Sequence, residues 1–75
     1  MSERKIKLNH MKDVKEFVSV AEKCEFDIDV FYNRISIDAK SIMGVLSLDL
    51  SQVLTVKYGG SDERFENVLD KYAAA

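Results

Sequence analysis

The sequence predicts an α+β domain, an antiparallel sheet with helices on one face and the other face open. Three observations lead there. The apolar period switches between about 2, the repeat of a strand, and about 3.6, the repeat of a helix, in the order β-α-β-β-α-β-α. Two of the strands are separated only by Asn33 and Arg34, the spacing of a tight hairpin. A chain of 75 residues has room for one hydrophobic core, so residues 1–75 form a single domain.

Each element follows from its own residues. Arg4 to Leu8 alternates, with Ile6 and Leu8 on one face of a half-buried strand. Asn9 and His10 break that pattern. From Met11 to about Cys24, Val14, Phe17, Val18 and Ala21 recur at helical spacing, with charged residues between them and Glu16 available to pair with Lys12. Phe26 to Tyr32 alternates again, setting Phe26, Ile28, Val30 and Tyr32 opposite Asp27, Asp29 and Phe31. Asn33 tolerates the positive φ that hairpin turns require, and Ile35 to Asp38 supplies the return strand. Ser41 to about Leu48 reads as a short helix, and Val53 to Tyr58 as the last strand, ended by Gly59 and Gly60. Ser61 is a candidate cap for the third helix, with Asp62 and Glu63 in its first turn and Phe65, Val68, Leu69 and Tyr72 as its apolar stripe. Ala73 to Ala75 is expected to fray.

Composition narrows the chemistry. A net charge of −2 argues against a general nucleic-acid binder. No apolar run is long enough for a membrane span, and the opening Met-Ser-Glu-Arg-Lys holds no apolar block of a secretory signal. Cys24 is the single cysteine, which fits a buried helix-end residue and a reducing, cytoplasmic location. One histidine and one cysteine do not make a structural metal site, and no G-x-S-x-G elbow is present for a serine hydrolase. No metal or other cofactor is expected.

One segment carries a resemblance. Lys40-Ser41-Ile42-Met43-Gly44-Val45-Leu46-Ser47-Leu48, with the Tyr32-Asn33 turn, the Asp38-Ala39 lead-in and Ala21, resembles the histidine-containing phosphocarrier protein (HPr) family of bacterial sugar phosphotransferase systems. The resemblance implies the family's fold, an open-faced β-sandwich with a four-stranded antiparallel sheet and three helices on one face. It also implies a monomeric phosphoryl carrier rather than a stand-alone enzyme. A gapless register places His10 where the family carries its phosphoryl group. Lys12 stands where the family has arginine, as the cation beside that histidine, and Asp13 where it has proline. Ser41 matches the serine that a regulatory kinase phosphorylates, and Ile42, Met43 and Leu46 match the apolar residues that dock partners. Those partners are a phosphoenolpyruvate-charged enzyme, a sugar-transporter subunit, and a serine kinase or transcription regulator.

Physical chemistry bears on each position. A histidine at a helix N-terminus stands beside unpaired N–H groups and partial positive charge, which suit a phosphate. Asp13, in the first turn, is expected to compete for those N–H groups and to repel phosphate. Ser41 is also a natural N-cap. Ile42, Met43, Val45, Leu46, Leu48 and Leu50 are too many apolar residues for one stripe of a short helix to bury, so some are expected to stay exposed as a docking patch. Two functions therefore compete: a carrier that relays phosphate through His10, and a regulatory or interaction module on the same scaffold in which Lys12 and Asp13 mark the loss of transfer.

Overall fold

The computed structural model describes residues 1–74. Its elements are β1 (Ser2–Ile6), α1 (Met11–Glu22), β2 (Ile28–Tyr32), β3 (Ile35–Asp38), α2 (Ile42–Leu46), β4 (Leu54–Tyr58) and α3 (Glu63–Lys71). The strands form one sheet in the order β1-β4-β2-β3, and every neighbouring pair is antiparallel. The expected α+β architecture is therefore present, with β4 inserted between β1 and β2 at the centre.

Strand alternation decides which side chains meet the helices. Ile6, Leu54, Val56, Tyr58, Ile28 and Val30 point to the covered face and are buried. On the other face Glu3, Lys57, Asp29 and Asp38 lie side by side in register across the sheet. There the Lys57 ammonium sits 3.8 Å from Glu3 and 4.8 Å from the centre of the Phe31 ring. The helices close the covered side with Val14, Phe17, Val18 and Ala21 from α1, Val45 from α2, and Phe65, Val68 and Leu69 from α3. Phe65 stands edge-on to Tyr58, their centroids 5.2 Å apart, and joins it to Phe17 at 6.0 Å. The Tyr58 hydroxyl donates to Glu66 at 2.6 Å, and Arg4 bridges Glu66 and Asp70, so β1, β4 and α3 are tied together at their polar rim.

The hairpin turn forms as expected, with Asn33 at φ 55°. It is the only non-glycine with positive φ among the described residues, so Arg34 escapes the left-handed region that would have favoured glycine there.

Several local expectations are corrected. Asp62, not Ser61, caps α3: its carboxylate accepts from the Phe65 N–H at 3.1 Å. Both residue types cap well, and adjacent candidates cannot be ranked by type alone. Glu16 does not pair with Lys12; it binds the Lys71 ammonium at 2.9 Å and the Tyr72 hydroxyl. Ala73 and Ala74 do not fray. Ala73 bridges Ile6, and the Ala74 N–H donates to the Lys5 carbonyl at 2.9 Å, which extends the sheet beyond β1. Ala75 lies outside the described residues.

Candidate functional site

The connection from β1 to α1 is fixed at both ends. Leu8 is fully buried and anchors the chain just past the strand. The Lys7 N–H donates to the Tyr72 carbonyl at 2.9 Å, and the Lys7 ammonium reaches the Asn9 side chain at 2.9 Å. His10 then stands as the N-cap of α1, with extended backbone (φ −133°, ψ 160°) and an exposed side chain. Its carbonyl accepts from the N–H groups of Asp13 (3.0 Å) and Val14 (3.2 Å), which starts the helix. Among the described residues, the N–H groups of Met11 and Lys12 find no acceptor. Two open donors and the positive end of the helix dipole therefore stand next to the histidine.

Asp13 does not do what its position suggested. Its carboxylate turns back past the first helical turn, as the N-terminal tilt of helical side chains allows, and leaves the Met11 and Lys12 donors free. One oxygen, Oδ2, accepts from the N–H groups of Asn9 and His10, each at 3.1 Å. The other, Oδ1, lies 3.3 Å from the Tyr72 hydroxyl. Asp13 is only 6 % exposed and is the one buried charged side chain among the described residues. Burial works to raise its pKa, but the two backbone donors, the Tyr72 hydroxyl and nearby His10 outweigh that and hold it below the ordinary value.

The surroundings of Asp13 form a small polar network. Tyr72 donates to Glu16 as well as facing Asp13, and Lys71 closes on Glu16. Burial, then Glu16 and Asp13, push the Tyr72 hydroxyl pKa up, while hydrogen bonds from Tyr72 and Lys71 hold the Glu16 carboxyl down. Lys12, Asp13, Glu16, Lys71 and Tyr72 line an open groove of about 340 Å3. Lys12 is exposed and makes no hydrogen bond or ion pair among the described residues. The sequence reading placed Tyr72 in an apolar stripe and missed this network. The available signal was the hydroxyl, since a tyrosine at the edge of a core usually finds a polar partner for it.

The second set of expected residues lies on α2. The Ser41 hydroxyl accepts from the Gly44 N–H at 3.1 Å, so Ser41 is the N-cap it was expected to be, and its side chain is exposed. A Cβ on Gly44 would stand 2.7 Å from Ile37 Cγ2, so glycine is what lets α2 lie down on β3. With that side pressed to the sheet, Val45 and Leu48 are buried, Ile42 and Leu50 are half-buried, and Met43 (81 % exposed) and Leu46 (36 %) face outward. Exposed apolar surface on this helix is thus present where the residue count required it. Cys24 is buried, and burial pushes its thiol pKa up, which keeps it unreactive. No cluster of three or more His, Cys, Asp or Glu side chains suited to a metal occurs among the described residues, and no helix among them is long and apolar enough to cross a membrane.

Comparison with known proteins bears on the family and the fold. The family described as "PTS HPr component phosphorylation site" matches residues 9–74. Among solved structures, HPr-C-His from Thermoanaerobacter tengcongensis is similar over 95% of this chain and 93% of its own, with 28% identity and a TM-score of 0.77. The phosphocarrier protein HPr from Bacillus anthracis strain Ames aligns over 95% of each chain, with a TM-score of 0.73; at 23% identity that likeness bears on the fold.

Proposed function

The chain belongs to the HPr family, and from that premise we propose that it is a phosphoryl carrier of a sugar phosphotransferase system that uses His10 as its acceptor. The observation that supports this reading is the exposed His10 at the N-cap of α1, beside the open N–H groups of Met11 and Lys12. In the reaction, a ring nitrogen of His10 attacks the phosphorus of a phosphohistidine on the phosphoenolpyruvate-charged donor enzyme. The donor P–N bond breaks as the new one forms, and the freed imidazole leaves with the electron pair. Charge spreads over the phosphoryl oxygens in such a transfer, so the two N–H donors and the helix dipole act where it develops. The Lys12 ammonium adds a mobile point charge in place of arginine's planar fork. A second transfer of the same kind delivers the group to a sugar-transporter subunit.

Ile42, Met43 and Leu46 serve in this reading as the contact surface for both partners, with Met43 as the adaptable member. Phosphorylation of the exposed Ser41 would place negative charge beside that surface, so a serine kinase has a means to block docking. The protein works as a monomer in the cytoplasm and needs no cofactor. The buried carboxylate of Asp13 beside His10 favours the alternative, a regulatory module without transfer.

Incubation with the charged donor enzyme separates the two. The carrier gains an acid-labile, base-stable phosphate that His10→Ala does not gain. The regulatory module gains none.

A further inference from the structure

We infer that Asp13, backed by Tyr72, is a positioning residue for His10, doing with hydrogen bonds what a rigid residue would do at the same place. The inference rests on the carrier reading of His10. Its basis is a closed circuit of bonds around the acceptor loop. From β1, the Lys7 N–H is held by the Tyr72 carbonyl at 2.9 Å. Two residues on, the N–H groups of Asn9 and His10 both end on Asp13 Oδ2 at 3.1 Å. Asp13 Oδ1 returns to Tyr72 through its hydroxyl at 3.3 Å. Tyr72 is itself fixed as the C-cap of α3, its N–H donating to the Val68 carbonyl at 3.2 Å. The loop that carries His10 is therefore held at its start by Tyr72 and at its end by Asp13, and the two holders touch.

Two consecutive peptide N–H groups on one oxygen fix the planes on either side of the Asn9 Cα, and the His10 carbonyl, accepting from the Asp13 and Val14 N–H groups, fixes the plane that follows His10. That fixes the direction in which the ring leaves the helix end, and transfer between proteins depends on that direction because attack must be in line. The same bonds spread the carboxylate's charge over its donors, and the Met11 and Lys12 N–H groups stay open for the phosphoryl oxygens. Tyr72 has one hydroxyl hydrogen and two carboxylates before it, with Glu16 the nearer, so its support of Asp13 is the weaker half of the device.

Three variants test this, each checked first by melting for an intact fold. Asp13→Asn removes the charge but keeps an oxygen for the Asn9 and His10 N–H groups and an amide that can donate to Tyr72. Asp13→Ala removes both. Tyr72→Phe removes only the hydroxyl. Positioning predicts that Asp13→Ala lowers kcat for transfer from the charged donor enzyme by roughly tenfold or more with KM little changed. Asp13→Asn should recover most of that loss, and Tyr72→Phe should fall between. Amide hydrogen exchange at Asn9 and His10 should speed up by on the order of tenfold in Asp13→Ala and less in Tyr72→Phe. Equal or faster transfer in Asp13→Ala overturns the inference. So does an equal loss in Asp13→Asn and Asp13→Ala, because charge rather than geometry would then govern. If the unmodified protein accepts no phosphate, the carrier reading falls, and positioning is judged by exchange alone: unchanged protection at Asn9 and His10 in Asp13→Ala refutes it, and lost protection sustains it.

Discussion

Phe17 has no exposed surface, and its ring meets Phe65 at a centroid distance of 6.0 Å, which makes it a contact of α1 with α3 inside the core. Truncation to alanine leaves a void that its neighbours can fill only in part, so Phe17→Ala is expected to cost about 3–5 kcal/mol. Domains of this size rarely hold more than about 5–15 kcal/mol in total, so a denaturant melt will show the loss readily. A near-unchanged midpoint would mean that the phase of the helix is misassigned. Acid should act through Asp13 and Glu16. Both carboxyls are held below their ordinary values of 3.8 and 4.5 in the folded protein. A depressed pKa stabilises the fold fully above the unfolded value, and the contribution is lost as pH falls through the folded one. Melting temperature should therefore drop on acidification below about pH 4, and Tyr72→Phe, which removes a donor from both groups, should flatten that drop. An acid limb as steep in Tyr72→Phe as in the unmodified protein contradicts the assignment.

Among the elements, α2 is the one whose surface should matter more than its core. Met43 has almost nothing to lose from the fold at 81 % exposure, so Met43→Asp is expected to leave melting unchanged. It should raise KM for the charged donor enzyme by roughly tenfold or more, as loss of an apolar anchor does at an interface. An unchanged KM would remove α2 from the docking surface. The elements also differ in how far their residues announced them. The stripe of α1, the Asn33 turn and the capping role of Ser41 could be read because each depends on residues near one another in the chain. Three features could not. The pairing of Ala73 and Ala74 with β1 uses only backbone groups and leaves no side-chain pattern. The choice of Asp62 over Ser61 depends on where the chain turns. The Tyr72 hydroxyl that meets Asp13 Oδ1 comes from 59 residues away, whereas the Asn9 and His10 N–H groups that hold Oδ2 are local. The expected Glu16–Lys12 pair failed for the same reason: Lys71 and Tyr72, remote in sequence, hold Glu16 instead.

At the scale of the whole molecule, the His10 end of α1 and the apolar side of α2 both belong to the helical layer, and α1 packs against α2 as well as α3. The opposite face of the sheet presents a charged row, Glu3, Lys57, Asp29 and Asp38. What the proposal demands of the molecule is onward delivery as well as acceptance. The decisive measurement is a single-turnover chase. The chain is loaded from the charged donor enzyme, separated from it, and mixed with a sugar-transporter subunit while the phosphate is followed on both proteins. A carrier acting through His10 gives up its phosphate to the subunit and returns to its unmodified mass, and His10→Ala delivers none. A loaded chain that keeps its phosphate, or delivery by His10→Ala equal to that of the unmodified protein, would contradict it.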